Sequence, residues 1–216
     1  KEKALVGFRE KMKPYIAETD ACPVLRESVG ERIEALASLV EKLSFCRALP
    51  QIEVAVGDSE TALVFRHLEE INAADLQLFQ EFGAVNNVSI YLQPGNELSV
   101  HKVFPADGLE RLSYSLPAYG LVFDFHPMDF IQINQMINRH MIPLAIELLS
   151  LNSEDNVFDA FCGIGNFSLP LATIARSVLG IEASESSVIR ARENAHRNSL
   201  ENTQFLAADL FAEGPD

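Results

Sequence analysis

The stretch from Val157 to Phe167, with the sequence VFDAFCGIGNF, constrains the fold of this chain more than any other. Apolar residues surround a single acid, Asp159, and lead into two glycines, Gly163 and Gly165. This pattern is typical of a buried parallel strand that ends in a tight loop before a helix. A side chain at either glycine would block a ligand from approaching the backbone. The stretch therefore predicts a strand, a ligand-binding loop and a helix.

Two further apolar runs follow, and each ends next to an acid. Val178–Ile181 leads into Glu182, seventeen residues after Gly165, and Thr203–Ala207 is followed by Asp209. Because the carboxyl ends of parallel strands meet at one edge of a sheet, Glu182 is placed to accept hydrogen bonds from ribose hydroxyls. Asp209 is placed to meet an adenine amino group, although on position alone it is equally well a helix cap or a turn residue. Together the runs predict part of a doubly wound, nucleoside-binding α/β domain.

The type of nucleoside follows from two departures from the dinucleotide pattern. In G-x-G-x-x-G the third glycine position is Ser168 here, and Asp159 lies close enough to repel a pyrophosphate. A carboxylate suits a cation, and S-adenosylmethionine carries a sulfonium and an amino group but no phosphate. S-adenosylmethionine is therefore the favoured ligand. A nicotinamide or flavin nucleotide is the alternative, and a plain strand-to-helix turn would explain G-x-G taken alone.

Composition limits the possible partners. The chain has 17 basic and 31 acidic residues, a net charge of -14, so its overall charge opposes RNA rather than attracting it. Any RNA must then be bound locally or by other parts of the protein. The chain lacks an uninterrupted apolar stretch long enough to span a membrane, and its three cysteines are too few for a disulfide scaffold. We therefore expect a globular cytoplasmic protein, a monomer with no membrane partner.

The pattern along the chain predicts an α+β first domain, residues 1–126, with mainly antiparallel strands. An amphipathic helix is expected from Pro23 to Ser44 and a shorter one from Asn72, its N-cap, to Phe82. The expected strands, which turn residues join into hairpins, are Ile52–Val56 with Ala62–Leu68, Val88–Leu92 with Leu98–Val103, and Leu112–Leu116 with Leu121–Phe125.

The second domain is expected to span residues 127–216. It would open with a helix from Phe130 to Leu149, kinked or ended by Pro143. Strands and helices then alternate from Asn156, as in a Rossmann-like sheet. Only three strands are encoded before Asp216, too few for a complete methyltransferase sheet. We therefore expect the chain to be part of a longer protein.

Four passages resemble the uracil-C5 RNA methyltransferases, and most closely the bacterial iron–sulfur members that make 5-methyluridine in 23S ribosomal RNA. They are Val6–Arg9 (VGFR), Cys22–Leu25 (CPVL), Asp129–Asn134 (DFIQIN) and Asp159–Leu171. Their order and spacing match the family over almost the whole chain. The resemblance implies an incomplete methyltransferase domain preceded by an RNA-facing central domain.

The resemblance also implies which residues bind the methyl donor. They would be Gln132, Phe161, Asn166, Glu182 and Asp209, beside Asp159, Gly163 and Gly165 of the loop. Gln132 offers a donor and an acceptor for the amino-acid end of S-adenosylmethionine, although its position also fits a solvent-facing helix residue. Phe161 equally fits plain core packing. The family more often has Asn where this chain has Asp209.

For the other functional groups the resemblance points partly outside the chain. Cys22 would be the fourth ligand of a [4Fe–4S] cluster whose other three cysteines lie upstream in the family. The nucleophilic cysteine and the catalytic base would lie beyond Asp216, so the chain alone is expected not to methylate RNA. The transfer RNA members of the family, a methyltransferase for small molecules or proteins, and a non-catalytic RNA-binding or assembly module are the alternatives.

Overall fold

The structure, a computed structural model, describes residues 4–108 and 110–211. The chain divides into two compact units, residues 1–112 and residues 113–216. Within the described ranges, no helix combines the length and the apolar character that crossing a membrane requires.

The first unit is built on one four-stranded sheet. The strand order is β1-β2-β3-β4, in which β2 and β3 run parallel and the two outer pairs run antiparallel. The antiparallel pairs β1-β2 and β3-β4 confirm the first two predicted hairpins and the mainly antiparallel character of the first domain. The elements are α1 (Glu27–Gly30), α2 (Ile33–Lys42), β1 (Gln51–Val56), β2 (Thr61–Arg66), α3 (Ala73–Asn86), β3 (Ser89–Gln93) and β4 (His101–Phe104).

The core of this unit lies between the helices and the central strands. Phe65 on β2, Phe79 on α3 and Ile90 on β3 are fully buried, and the two phenylalanine rings lie 4.8 Å apart between centroids. Burying a side chain of this size stabilises the fold by about 1.5–3 kcal/mol. The helix α3 begins as predicted, because the side chain of Asn72 accepts hydrogen bonds from the backbone of Ala74 and Asp75.

The predicted helix from Pro23 to Ser44 is wrong as one continuous element. The structure divides it into α1 and α2, which are separated after Gly30. A Cβ atom at Gly30 would lie 2.3 Å from the carbonyl oxygen of Cys22, whose amide donates to the Gly30 carbonyl at 2.9 Å. This tertiary contact sets the chain path there, although the apolar stripe that predicted the helix is buried, as at Val29 and Leu36.

The second unit contains a two-stranded sheet and a three-stranded parallel sheet. The parallel strands lie in the order β7-β8-β9, which confirms the three strands predicted from their apolar runs. The elements are β5 (Leu112–Leu116), β6 (Leu121–Phe125), α4 (Gln135–Leu149), β7 (Asn156–Ala160), α5 (Ser168–Ala172), β8 (Ser177–Glu182), α6 (Glu185–Arg197) and β9 (Thr203–Ala207).

The strands β5 and β6 belong to the second unit, whereas the sequence pattern groups them with the first domain and places the boundary near residue 126. Two asparagines explain this, Asn194 in α6 and Asn198 at its C-cap. Asn194, which is fully buried, accepts from the Asp124 amide at 2.8 Å and donates to the Asp124 carbonyl at 3.1 Å. Asn198 makes the same pair of bonds with Val122. These side chains bind the backbone of β6 as a neighbouring strand would.

The helix predicted from Phe130 begins later, at Gln135. The side chain of Asn134 accepts a hydrogen bond from the Ile137 amide at 3.0 Å and caps the helix, and the residues before it form turns and a segment without regular secondary structure. Pro143 lies inside α4 without ending it, and the helix continues to Leu149.

Candidate functional site

The candidate site is the loop that joins β7 to α5, residues 161–167. Three of its residues have positive φ angles: Phe161 at 64°, Gly163 at 54° and Gly165 at 90°. The amide of Gly165 donates to the Cys162 carbonyl at 2.9 Å, and the Gly165 carbonyl accepts from the amide of Leu169 at 3.0 Å. The loop is therefore a tight turn that leads directly into α5, as the sequence predicts.

The two glycines of the loop have different surroundings. A Cβ atom at Gly165 would lie 2.5 Å from the Cδ1 atom of Leu169, at a φ angle of 90°, so a side chain there would be strained and would force the buried Leu169 side chain to move. Around Gly163, a Cβ atom would meet no heavy atom of the described residues within 4 Å, apart from its chain neighbours. Gly165 thus lets the loop pack on α5, whereas Gly163 borders open space that a ligand can enter.

Glu182 lies at the carboxyl end of β8 and its side chain is directed at this loop. One carboxylate oxygen accepts from the amide of Gly163 at 3.1 Å, and the other accepts from the amide of Ser184 at 3.1 Å. Each carboxylate oxygen has two lone pairs, so both can accept further hydrogen bonds from ligand hydroxyls. The structure therefore places this carboxylate beside the open position of the loop.

Asp159 is the acid of β7 and lies beneath the loop. Its Oδ2 atom accepts a hydrogen bond from the Ser168 hydroxyl at 2.5 Å, which ties the strand to the first residue of α5. Burial raises the pKa of this carboxyl above its ordinary value, although the hydrogen bonds from Ser168 oppose the shift. Asp159 thus supports the loop through Ser168, a contact that the sequence pattern did not indicate.

Cys162 of the loop is buried. Burial, with the nearby charges of Asp159 and Glu182, raises the pKa of its thiol to about 12. Since a thiolate is the nucleophilic form of cysteine, Cys162 is unsuited to nucleophilic catalysis.

An aromatic pair lies at the same edge of the sheet. The half-exposed ring of Phe161 stacks on Phe211 with centroids 5.4 Å apart. Asp209, which is exposed, accepts a hydrogen bond from the Phe211 amide at 2.9 Å. Phe161 and Asp209 are thus linked through Phe211, a residue that the sequence analysis missed because it follows the last strand without any motif.

Asn166, at the end of the loop, is held by two other side chains. Its Oδ1 atom accepts from the Tyr114 hydroxyl at 2.8 Å and from the Asn138 amide at 3.0 Å. Its own Nδ2 atom donates back to Asn138 at 2.9 Å. The sequence analysis identified Asn166 but neither partner, because Tyr114 and Asn138 lie far from it in sequence.

Gln132 lies in the segment without regular secondary structure between β6 and α4, and its side chain is exposed. This segment is anchored on both sides. Before Gln132, the buried carboxylate of Asp129 accepts from the Arg190 guanidinium of α6 at 3.1 Å. After it, Asn134 caps α4. The interpretation of Gln132 as a helix residue is wrong, since α4 begins only at Gln135.

Cys22 belongs to the first unit. It is half-buried, and among the described residues there is no group of three His, Cys, Asp or Glu side chains arranged to hold a metal ion. A [4Fe–4S] cluster requires four thiolates, and the described residues alone do not provide them.

Comparison with known proteins agrees with these features. Residues 109–214 match the family described as tRNA (Uracil-5-)-methyltransferase. Two relatives carry the name 23S rRNA (uracil(1939)-C(5))-methyltransferase RlmD. The one from Alcanivorax borkumensis is 47% identical over 97% of this chain and 47% of its own length. The one from Alkalilimnicola ehrlichii is 48% identical over 98% of this chain and 47% of its own length. The chain thus spans about half the length of the curated relatives it matches.

A solved structure shows the same fold. The tRNA (uracil-54, C5)-methyltransferase of Pyrococcus abyssi, solved in complex with S-adenosyl-L-homocysteine, has a TM-score of 0.71 with this chain. It is 24% identical, and the match covers 95% of this chain and 52% of the other.

The parallel sheet and the glycine loop, with the carboxylate of Glu182 beside it, have the Rossmann-like fold of this methyltransferase structure. With the matches above, the chain belongs to the family of uracil-C5 RNA methyltransferases.

Proposed function

We propose that the protein containing this chain methylates carbon 5 of a uridine in 23S ribosomal RNA, with S-adenosylmethionine as the methyl donor. The observation that carries the proposal is the carboxylate of Glu182, which is hydrogen-bonded to Gly163 beside an open position of the loop. The similarity to relatives named for this reaction supports the choice of RNA. A cytoplasmic location, expected from the composition, suits such a substrate.

The donor fits the chemistry of the loop residues. The space at Gly163 would admit the donor next to the backbone, and Glu182 would accept hydrogen bonds from the ribose hydroxyls. Asp159 and Glu182 place negative charge close to the loop, which favours a sulfonium and disfavours a pyrophosphate.

The two ends of the donor would be bound by the remaining residues. Phe161 and Asp209 would contact the adenine, the first through its exposed ring and the second through its carboxylate. Gln132 would bind the amino-acid end, because its amide both donates and accepts. The backbone of the loop that ends at Asn166 would complete the site.

The reaction also needs groups that these residues do not supply. S-adenosylmethionine supplies the methyl group on its sulfonium. Carbon 5 of uracil is a poor nucleophile until a cysteine thiolate adds to carbon 6, after which carbon 5 takes the methyl group. A base then removes the proton from carbon 5, and the thiolate leaves. The buried, high-pKa thiol of Cys162 is excluded from this role, so we assign the residues of this chain to binding and orienting the donor.

The target base must be extruded from its RNA helix to reach such a site. Because the overall charge is negative, we propose that local contacts and other parts of the protein bind the RNA. The role of Cys22 as a cluster ligand stays a prediction for the complete gene product, and no step is assigned to the cluster.

Transfer RNA is the second candidate substrate, because the matching family and the similar solved structure are both named for tRNA enzymes. The test is methyl transfer from labelled S-adenosylmethionine by the complete gene product to unmodified 23S ribosomal RNA and, separately, to unmodified transfer RNA. Nuclease digestion and mass spectrometry should find 5-methyluridine in the ribosomal RNA. Label in transfer RNA alone would favour the second candidate, and RNA binding without any transfer would contradict both.

A further inference from the structure

The side chain of Asn166 is occupied by protein partners, although the loop to which it belongs borders the candidate donor site. Its Oδ1 atom accepts two hydrogen bonds, from the Tyr114 hydroxyl and from the Asn138 amide. An amide oxygen has two lone pairs, so both are used. The side chain of Asn166 therefore has no acceptor left for a ligand, and one N–H of its Nδ2 group is committed to Asn138, so its contribution comes mainly through the position of the loop.

Both partners of Asn166 are buried. Asn138 is 3% exposed and Tyr114 is 5% exposed, and the ring of Tyr114 stacks on Phe123 with centroids 4.9 Å apart. Burial raises the pKa of the Tyr114 hydroxyl, so this group stays protonated and donates to Asn166. Inside the protein, a buried polar group that loses its hydrogen-bond partner raises the free energy of the folded state. The three side chains therefore strongly prefer the arrangement in which all of these hydrogen bonds are made.

Asn138 also belongs to the helix that follows Gln132. It lies in the first turns of α4, and its backbone amide donates to the carbonyl of Asn134, the residue that caps this helix. The reciprocal amide pair of Asn138 and Asn166 thus joins the start of α4 to the end of the glycine loop. It links the segment that carries Gln132 to the loop that carries Gly163.

We infer that Asn138, with Tyr114, is a positioning residue for the methyl donor: it holds Asn166 so that the glycine loop and the Gln132 segment keep the separation that the donor spans. The inference rests on the proposed function, because it takes S-adenosylmethionine as the ligand of the loop. A small displacement of either segment weakens donor binding, since the donor must contact both at once.

The chain offers a matched control for the loss of a side-chain amide. Asn202 precedes β9, at the opposite end of the parallel strands from the loop, and its Nδ2 atom donates to the carbonyls of Ala172 and Ala175. An Asn202→Ala variant therefore loses two hydrogen bonds of the same type without touching the loop. Tyr114→Phe is a milder second variant, because it removes only the hydroxyl and keeps the stacked ring.

The test is calorimetric titration of the complete gene product with S-adenosylmethionine, beside its melting temperature. Asn138→Ala should raise the Kd for S-adenosylmethionine by about tenfold, which corresponds to the free energy of about one hydrogen bond. Tyr114→Phe should raise the Kd several-fold. Asn202→Ala should lower the melting temperature but leave the Kd within about twofold of the wild type. In the methyl-transfer assay, Asn138→Ala should raise the KM for the donor more than it lowers kcat.

Two results would overturn the inference while the wild type binds the donor: an unchanged Kd in both Asn138→Ala and Tyr114→Phe, or an equal rise in Kd in Asn202→Ala. If Asn138→Ala does not fold, the Kd of Tyr114→Phe decides. A wild type that does not bind S-adenosylmethionine would instead contradict the proposed function itself, and the inference with it.

Discussion

The carboxylate of Glu182 accepts a hydrogen bond from the backbone amide of Gly163 at 3.1 Å. The two residues are nineteen positions apart, on neighbouring parallel strands and their loops, and β7 and β8 bring them together by pairing Ala160 with Ile181. Within the described residues, the loop is not filled by side chains at this point, since no heavy atom beyond the chain neighbours lies within 4 Å of a Cβ placed on Gly163. The two features together place a carboxylate beside an open position at the edge of the sheet.

Replacing Glu182 by alanine should weaken the binding of S-adenosylmethionine by about 10- to 100-fold, because hydrogen bonds to a charged group contribute about 1.5–3 kcal/mol. Calorimetric titration measures the effect. Glu185→Ala is the control, since Glu185 is an exposed acid in the first turn of α6 and has the same charge. Equal losses in the two variants would mean that general charge, and not the position of Glu182, determines affinity.

The two glycines of the loop should respond differently to alanine. Gly165→Ala introduces a Cβ atom 2.5 Å from Leu169 at a φ angle of 90°, so it should lower the free energy of unfolding by about 3 kcal/mol or more. Gly163→Ala meets open space at a φ angle of 54° and should cost about 1–2 kcal/mol, while it obstructs the donor. Urea unfolding and calorimetry measure both effects. A more destabilising change at Gly163 than at Gly165 would contradict this account of the loop.

Cys162 should be inert in the folded protein. Burial and two nearby carboxylates raise the pKa of its thiol to about 12, so very little thiolate is present at pH 8. Iodoacetamide at this pH should modify the exposed Cys46 and leave Cys162 unmodified until the protein is unfolded in urea, as peptide mass spectrometry would show. Native labelling of Cys162 as fast as Cys46 is the result that would refute this.

Asp159 should make the stability depend on pH. Burial raises the pKa of its carboxyl above 3.8 in the folded state, so above that pH the folded state binds more protons than the unfolded state. The free energy of unfolding contributed by this group therefore falls as the pH rises, until the carboxyl is fully ionised. Asp159→Asn cannot ionise but keeps an acceptor for the Ser168 hydroxyl. The stability of the wild type relative to this variant should fall with rising pH in urea titrations, and a constant or rising difference would contradict the burial effect.

Local sequence signals were enough to predict the parallel strands and the loop between Asp159 and Asn166. A continuous apolar run marks a buried strand, and glycines mark positions where a side chain is excluded or strained, as Gly165 shows. The acid at the end of the next strand followed from the rule that the carboxyl ends of parallel strands meet at one edge.

Most of the features that were not predicted depend on contacts between residues far apart in sequence. The place of β6 in the second unit follows from Asn194, which binds Asp124 across 70 positions. The separation of α1 from α2 is an exception, since the contact of Gly30 with Cys22 joins residues only eight positions apart. The hydrogen bonds of Asn138 to Asn166 link residues 28 positions apart, so no local pattern reveals them. An asparagine in a helix carries little information about its partner until the fold is known.

The central claim is that an acidic glycine loop binds a cationic methyl donor and not a dinucleotide. Calorimetric titration of the complete gene product with S-adenosylmethionine and, in parallel, with NAD tests it most directly. Binding of S-adenosylmethionine should be saturable and weakened in the Glu182→Ala variant, and NAD should bind little or not at all. Tighter binding of NAD than of S-adenosylmethionine would contradict it.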